Sequence, residues 1–384
     1  MASAKKKSKK VRVAFHKNRG KRARANDLTR QTDGDLDSTA DLSNNERVSG
    51  KGDLTRFRTV VTTEDSDVQR AVDEESTVSG RVLMAVGSNQ CRVQLEDGQV
   101  TLCTVRRIVR TMSRDTRSAV VAGDRVRVML ENDGRGVIER VEPRTATLSR
   151  GVRNRAHIIV ANVDQTVIVS SVAEPHIKLG LIDRFLCSAQ KGKTRGIVCI
   201  NKIDLCPRAA LQPVVGQYAR LGYPVILTDA LTGEGLPQLR RLLAGRETVF
   251  TGQSGVGKSS LLNALQPGLG RRTGEVSQET SKGRHTTRTT ELIRLDCGGW
   301  VVDTPGIRSL QLWDIVKEEL EGLFIEFSPF VSRCKFPDCT HIHEQQCGIK
   351  QAVDNGWISP LRYDSYVRIW NGEDEVWLPP PDSE

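Results

Sequence analysis

Three observations predict a multidomain protein with an N-terminal OB-type β-barrel, a central α/β domain and a small α-helical C-terminal domain. Five short strands follow one another between Val82 and Val141. A glycine-rich loop separates a buried strand from a helix at 248–265. Three Cys and two His residues fall within fourteen positions near the C-terminus. We expect four segments, namely an extension (1–75), the barrel (76–147), the α/β domain (148–320) and the C-terminal domain (321–384).

The N-terminal extension carries the net charge of the chain. Residues 1–30 contain twelve Lys or Arg and one Asp, whereas the whole chain of 384 residues has a net charge of +10. These charges have no periodic apolar partners, and the rest of the segment is polar and acidic. We therefore expect disorder throughout 1–75. The basic part, 1–30, is either a sequence-independent RNA arm or a solubilising tail, and the acidic residues 31–76 form a linker.

The composition excludes several classes of protein. No apolar run approaches the length of a membrane helix, and the N-terminus has lysines but no apolar signal region. The nine cysteines are an odd number and are scattered, apart from three near the C-terminus, which suits a reducing compartment better than a disulfide framework. We expect a cytoplasmic monomer with an anionic partner and no membrane association.

The barrel prediction depends on short strands and regularly spaced turns. The strands are 82–84, 91–95, 100–103, 125–129 and 136–141, with Asp-Gly or Gly-Asp pairs at three of the turns. All thirteen basic residues from Arg81 to Arg150 are arginines, and the stretch has no aromatic residue. Arginine suits bidentate phosphate contacts, whereas stacking on single strands needs aromatic rings. We therefore predict binding to the backbone of folded RNA, the alternative being a merely solvated basic face.

A phosphate-loop motif organises the α/β domain. The pattern G-x-x-x-x-G-K-[ST] is matched by Gly252, Gln253, Ser254, Gly255, Val256, Gly257, Lys258 and Ser259, and Ser260 follows. Glycines let the backbone N–H groups converge on a triphosphate. In this interpretation Lys258 reaches the β- and γ-phosphates, and the Ser259 hydroxyl binds Mg²⁺. The alternative is a glycine-rich turn before an ordinary helix.

A second motif predicts that the nucleotide is GTP. Asn201, Lys202, Ile203 and Asp204 follow a buried strand and match N-K-x-D. The Asp204 carboxylate accepts hydrogen bonds from N1–H and N2–H₂ of guanine, a donor pair that adenine lacks. The Lys202 stem covers the ring. After the next strand, Ala230 occupies a loop from which a backbone N–H can reach guanine O6.

Two further segments carry the candidates for catalysis. Asp303 and Gly306 form a D-x-x-G element after a short apolar strand, where Asp303 holds Mg²⁺ through water and the Gly306 N–H senses the γ-phosphate. The polar loop at 283–288 has the character of a switch, and one of Thr286 and Thr287 completes the Mg²⁺ shell. The sequence leaves open which threonine does so.

The attacking water lacks an obvious orienting residue. Ile307 stands where many GTPases carry a glutamine, so we expect slow intrinsic hydrolysis until a partner supplies the alignment. His285 is the candidate within the chain, since an imidazole orients or deprotonates water. A solvated histidine in the switch loop is the alternative. With Lys258, Thr286 and Thr287, His285 completes the candidate catalytic set.

The order of the motifs is unusual. In ordinary GTPases the guanine motif follows the phosphate loop, but here it precedes it by about fifty residues. A doubly wound sheet tolerates this because the ligand lies at strand ends whose positions do not depend on where the chain is cut. We predict a circularly permuted P-loop GTPase domain, in which the segment after Gly306 leads into the C-terminal region and conveys the state of the nucleotide there.

The C-terminal domain carries a candidate structural zinc site. Cys334, Cys339, His341 and Cys347 form a Cys₃His set, which suits a closed tetrahedral Zn²⁺ without an open position for water. His343 competes for the fourth position, and a chance grouping of thiols is the alternative.

Together these motifs resemble those of the RsgA (YjeQ) family of bacterial GTPases that depend on the small ribosomal subunit, over roughly residues 76–370. The resemblance implies GTP hydrolysis stimulated by the 30S subunit, contact with 16S rRNA, a role in late 30S maturation and release after hydrolysis. It also implies zinc on Cys334, Cys339, His341 and Cys347 and an apolar residue at Ile307. The long N-terminal extension departs from the family pattern.

Two other hypotheses compete with this one. One is a permuted GTPase that acts on the large ribosomal subunit, which the arginine-rich barrel and the Cys₃His set disfavour. The other is an RNA-binding scaffold whose GTP site only stabilises the fold. Lys258, Ser259 and Asp303 argue against the scaffold because all three are intact.

Overall fold

The computed structural model describes residues 8–14, 57–63, 72, 74–86, 89–107, 109, 119–131, 134–152, 155–269, 290–303 and 315–373 of the chain. For 8–14, 57–63, 150–152, 155–157 and 303 it describes the main chain only. Within these ranges no helix combines the length and the apolar character needed to cross a bilayer.

A two-stranded ribbon lies in the N-terminal extension. Strand β1 (Ser8–Ala14) pairs antiparallel with β2 (Phe57–Thr63), from Ser8 opposite Thr63 to Ala14 opposite Phe57. The sequence-based expectation was disorder throughout 1–75, and the structure differs from it here. Both strands contain β-branched residues, which favour extended backbone, and the prediction weighed only the charge of the segment.

Five strands form a closed barrel, as predicted. They are β3 (Val78–Val86), β4 (Gln90–Leu95), β5 (Val100–Val105), β6 (Arg125–Leu130) and β7 (Gly136–Val141). Their order is β3-β4-β5-β7-β6, and a β3–β6 pairing closes the ring. Alternate residues point inward, so Val82, Val93, Val128 and Ile138 are all fully buried. Closure leaves the barrel without free edges among these strands.

The α/β domain contains a six-stranded sheet. A hairpin of β8 (Thr147–Val152) and β9 (Arg155–Ala161) leads into it from the barrel. The sheet strands are β10 (Gln165–Ser171), β11 (Arg195–Asn201), β12 (Val225–Leu227), β13 (Glu247–Thr251), β14 (Glu291–Arg294) and β15 (Trp300–Asp303). Their order is β12-β11-β10-β13-β15-β14, and all are parallel except β14.

Helices cover both faces of this sheet. They are α1 (Leu179–Lys191), α2 (Gln212–Arg220), α3 (Leu236–Leu243) and α4 (Lys258–Leu265). Val167 and Val169 of β10 pack into one core with the leucines of α3 and α4, whereas Ile168 packs into the other with α1 and α2. Such continuous apolar strands are expected where a parallel sheet is covered on both sides. The predicted α/β class is confirmed.

The barrel is attached to this sheet rather than tethered by a linker. Glu291 of β14 pairs with Met84 of β3, so the sheet continues into the barrel. Arg81 of the barrel forms an ion pair of 2.5 Å with Glu247 of β13. Asn162 donates to the Gly123 carbonyl at 3.0 Å. These contacts hold the barrel beside the edge strand that follows the predicted switch loop.

The C-terminal domain is helical and packs on the opposite end of the α/β domain. Its helices are α5 (Lys317–Leu323), α6 (Ser328–Val331), α7 (Gly348–Asp354) and α8 (Pro360–Asn371). Leu320, Phe324, Phe327 and Tyr366 are at most 1% exposed and form its core, into which Cys187 of α1 inserts.

Candidate guanine-nucleotide site and Cys₃His centre

The phosphate loop joins β13 to α4 in the predicted order. Gly252, Gly255 and Gly257 have φ values of 141°, 88° and 91°, in the region that side-chain-bearing residues rarely adopt. The Lys258 ammonium folds over the loop and donates to the Gly252 carbonyl at 2.7 Å and to that of Gln253 at 2.5 Å. The loop therefore has the shape and the positive group that a phosphate chain needs.

The other residues of the phosphate-loop motif differ in their burial and in their position relative to α4. Val256 is 2% exposed and anchors the loop in the core, whereas Ser254 is exposed. Ser259 and Ser260 lie in the first turn of α4, where the backbone N–H groups have no partner within the helix. Anions are favoured at such a terminus.

The guanine motif contacts the phosphate loop directly. Asn201 at the end of β11 is buried, and its Nδ2 donates to the Val256 carbonyl at 2.9 Å. A Cβ on Gly257 would overlap this amide, so only glycine fits at that position. The two motifs, about fifty residues apart and in permuted order, are thus brought together at the carboxyl ends of parallel strands.

Lys202 and Asp204 occupy a tight turn after Asn201. Lys202 has a left-handed backbone (φ 60°), and its Nζ donates to the Glu174 carbonyl at 2.6 Å. Ile203 is 4% exposed, whereas Asp204, next in the 3₁₀ turn Ile203–Leu205, points to solvent. The apolar residue thus anchors the turn, and the carboxylate that is predicted to read guanine is left accessible.

Hydrogen bonds connect the loop that carries Ala230 to the turn that contains Lys202 and Asp204. The Thr228 hydroxyl donates to Asn201 Oδ1 at 3.2 Å, and the Ile203 N–H donates to the Thr228 carbonyl at 3.4 Å. Asp229 accepts from the Leu231 N–H at 2.8 Å. Burial alone would raise the pKa of Asp229, but hydrogen bonds to its carboxylate outweigh burial and lower it. Half-buried Ala230 is therefore held beside the guanine motif.

The γ-phosphate side is described only in part. Asp303 ends β15, which lies next to β13, so its main chain is at the same edge as the phosphate loop. Gly306, Ile307, His285, Thr286 and Thr287 lie outside the described residues. Their roles remain predictions from the sequence.

The four predicted zinc ligands converge in the C-terminal domain. One donor atom from each of Cys334, Cys339, His341 and Cys347 lies within 4.8 Å of all the others. The Cys334 and Cys347 sulfurs are 3.9 Å apart, and His341 Nδ1 lies 3.5 Å and 3.4 Å from them. Tetrahedral zinc with ordinary bond lengths requires S···S of about 3.8 Å and S···N of about 3.5 Å. The donor set therefore fits Zn²⁺.

The residues around the Cys₃His centre also support Zn²⁺ as its metal. Glu321 of α5 lies 2.9 Å from His341 Nε2, which leaves Nδ1 directed at the thiols, as in carboxylate–histidine–zinc arrangements. Burial raises the pKa of the Cys339 thiol to about 12, and the Cys347 thiol adds to this shift. A divalent cation stabilises thiolates and reverses such a shift. His343, the competing ligand, is exposed and outside the cluster.

Sequence reasoning missed the supporting residues. Glu321 and Glu174 contact predicted site residues, but neither belongs to a recognisable motif. A glutamate in an amphipathic helix or a backbone carbonyl in a loop has no signature in a single sequence. These contacts become visible only through the fold.

The fold and this site define a circularly permuted P-loop GTPase with an OB-type barrel and a C-terminal Cys₃His centre. Residues 141–313 match the family model described as RsgA GTPase. The chain belongs to the RsgA GTPase family, whose members hydrolyse GTP, as the resemblance of its motifs implied.

Relatives and solved structures agree with this assignment. A protein named small ribosomal subunit biogenesis GTPase RsgA from Alkaliphilus metalliredigens is 42% identical over 262 residues, which is 68% of this chain and 87% of the relative. A protein of the same name from Thermotoga neapolitana is 40% identical over 76% of this chain and 95% of its own length.

The crystal structure of YjeQ from Thermotoga maritima is 38% identical and aligns with a TM-score of 0.64 over 77% of this chain and 98% of its own. YloQ, a circularly permuted GTPase, is 33% identical and gives a TM-score of 0.61 over 79% and 97% of the two chains. The permutation for which the YloQ structure is described agrees with the order of the motifs in this chain.

Substitution of Asp204 tests the assignment of the guanine reader. We expect Asp204→Asn to raise the Kd for GDP by about 10- to 100-fold, because it removes a charge-assisted pair of hydrogen bonds. The Asn amide can donate to the extra carbonyl of xanthine, so affinity for xanthosine diphosphate should rise. Calorimetric titration measures both. Glu234→Gln, a nearby exposed acid, serves as the matched control, and an unchanged Kd for GDP in Asp204→Asn contradicts the assignment.

Two histidines that are two positions apart provide a matched test of the Cys₃His centre. We expect about one zinc per chain in the wild type and in His343→Ala, and loss of zinc in His341→Ala, because only His341 faces the thiols. Elemental analysis after dialysis gives the stoichiometry. Zinc loss in His343→Ala with retention in His341→Ala would reverse the ligand assignment.

Proposed function

We propose that this chain is a GTPase of small ribosomal subunit biogenesis, which binds the 30S subunit through 16S rRNA, hydrolyses GTP when bound and is released afterwards. The observation that carries the proposal is the match, over most of both chains, to relatives named for this process. The intact nucleotide motifs and their convergence at one sheet edge support the enzymatic half. We also propose that the protein acts in the cytoplasm as a monomer.

In this proposal, different residues of the chain hold the guanine base, the phosphates, the attacking water and the zinc ion. Asn201, Lys202, Ile203, Asp204 and the Ala230 backbone hold guanine. The loop from Gly252 to Ser260 and the Lys258 ammonium hold the phosphates, and bound Mg²⁺ neutralises their charge through Ser259, Asp303 and a switch threonine. His285 is the candidate to orient water. The four ligands Cys334, Cys339, His341 and Cys347 hold Zn²⁺, whose role is structural because no coordination position is left open.

The arginines of the barrel contribute less free charge than the sequence suggests. Six of the thirteen form ion pairs with carboxylates in the described part of the chain, namely Arg81, Arg92, Arg106, Arg127, Arg140 and Arg144. Arg144 pairs with Asp124, which is buried inside the barrel end. Such pairs serve the fold, so they do not by themselves support binding to RNA.

The charge that supports RNA binding is concentrated in one segment of the sequence. The segment 106–118 between β5 and β6 contains a single acidic residue, Asp115, and five arginines, of which only Arg106 is among the six paired with carboxylates above. A local excess of this kind raises affinity for a phosphate backbone and steers association. We propose that this segment, with the basic N-terminal residues, contacts 16S rRNA.

GTP turnover with separated ribosomal subunits tests the proposed function. We expect slow hydrolysis by the protein alone and at least about tenfold faster hydrolysis with small subunits, because an apolar residue follows Gly306 and the partner supplies the missing alignment. Large subunits are the control, and equal stimulation by them would favour the large-subunit alternative. Ser259→Ala should abolish turnover, and undiminished turnover would favour the RNA-binding scaffold.

Neutralising arginines of the segment 106–118 tests the RNA contact. We expect Arg110→Gln, Arg114→Gln and Arg117→Gln combined to weaken small-subunit binding and to lower the slope of log K against log salt by about 2, since each phosphate contact contributes about 0.7 to 0.9. Sedimentation binding at several salt concentrations measures this slope. The control removes three exposed arginines of the α/β domain, Arg195, Arg241 and Arg294. Equal losses in both variants would show a nonspecific charge effect and contradict the contact.

A further inference from the structure

A buried ion-paired cluster joins the C-terminal domain to the α/β domain. Arg362 of α8 is 1% exposed and pairs with fully buried Asp183 of α1 at 2.7 Å and with Glu326 at 2.6 Å. Its guanidinium lies 4.5 Å from the centre of the Phe324 ring. Charged side chains are almost never buried this completely unless they are paired, so this pair is a specific connection between the two domains.

The same carboxylate fixes the start of α1. Tyr218 of α2 donates from its hydroxyl to Asp183 Oδ1 at 2.8 Å and lies 3.3 Å from the carbonyl of Leu179, the first residue of α1. Tyr218 is itself fully buried. Asp183 therefore ties α1, α2 and α8 together at one point.

The loop that precedes α1 reaches the nucleotide site. Its Glu174 carbonyl accepts the hydrogen bond from Lys202 of the guanine motif. Its next residue, Pro175, lies against the phosphate loop, since a Cβ on Gly255 would be 3.3 Å from Pro175 Cδ. One short segment between β10 and α1 thus contacts both halves of the nucleotide site.

Residues that follow Arg362 on α8 contact the loop of the Cys₃His centre. Tyr363 and Tyr366 lie one and four positions after Arg362 on α8. Their hydroxyls donate to the carbonyls of His341 at 2.6 Å and Thr340 at 2.9 Å, respectively. The position of α8 is therefore set by the ligand loop. A continuous series of contacts runs from the metal ligands through α8 and α1 to Lys202.

We propose that Arg362 and Asp183 are positioning residues for guanine-nucleotide binding, and that through them the Cys₃His centre and the nucleotide site stabilise each other. The ion pair holds α1, and α1 holds the loop that orients Lys202 and supports the phosphate loop. By linkage, a ligand that favours one arrangement of this series favours binding at its other end by the same factor. The inference rests on the proposed guanine site but requires no ribosome.

Loss of the pair has a defined physical consequence. Burial raises the pKa of Asp183, and the Arg362 charge opposes that shift. Without Arg362 the buried carboxyl takes up a proton or admits water. A cavity of 230 Å³ is bordered by Gln217, Trp357 and Arg362, so water can enter the space that the guanidinium leaves. In either case α1 loses the contact that fixes it, and the loop before it is no longer held against Lys202.

Steady-state kinetics and nucleotide titration test the positioning role. We expect Arg362→Met and Asp183→Asn each to raise the Kd for GDP and the KM for GTP at least about fivefold, with kcat at saturating GTP unchanged within about twofold. The factor by which the double variant raises Kd and KM should be smaller than the product of the factors for the two single variants. Arg368→Met, which removes an exposed ion pair on the same helix, is the matched control and should behave as wild type.

Comparing kcat with KM and Kd distinguishes a positioning role of the ion pair from a role in folding alone. If the pair only stabilises the fold, the variants lose active protein, so apparent kcat falls while KM and Kd stay at wild-type values, and the proposal is wrong. Wild-type protein that fails to bind GDP would instead refute the proposed guanine site. Arg362→Lys, which keeps the charge, should restore part of the affinity.

A second experiment avoids substitutions at the cluster. In the wild type, saturating GDP should slow the release of zinc to a chromogenic chelator at least about fivefold, because nucleotide and metal stabilise the same series of contacts. ADP is the control. Zinc release at the same rate with and without GDP would overturn the proposal even if the variants failed to fold.

Discussion

The hydrogen bond from the Asn201 amide to the Val256 carbonyl is the contact on which the site depends. It joins the loop that is predicted to read the base to the loop that is predicted to hold the phosphates, and Gly257 is required for the two to approach. Because both loops leave the carboxyl ends of parallel strands, their proximity is a property of the sheet and not of the chain order. This is why a permuted chain retains an ordinary nucleotide site.

The two flanking domains are attached to this sheet in different ways. The barrel extends the sheet through the pairing of β3 with β14, next to the segment that precedes Glu291. The C-terminal domain packs on α1 at the other end, through Arg362 and Asp183. The barrel thus adjoins the strand that follows the predicted switch loop, and the C-terminal domain packs on the helix that precedes the guanine motif.

Much of this organisation is visible in the sequence, because glycine loops, N-K-x-D and clustered cysteines have strict chemical requirements. The five barrel strands were predictable from alternation and turn residues. The Arg362–Asp183 pair and Glu321 were not, since each depends on two elements meeting in space. The barrel arginines mislead for the same reason: Arg144 reads as a cation for RNA, but in the fold it neutralises buried Asp124. The β1–β2 ribbon was missed because charge outweighed β-propensity in the prediction.

Calorimetric titration of the wild-type protein with GDP and ADP tests the central claim most directly. The account predicts that GDP binds at one site per chain and that ADP binds at least about 100-fold more weakly, because adenine cannot satisfy the Asp204 carboxylate. Equal affinity for the two nucleotides would contradict the claim that the permuted chain assembles a guanine-specific site.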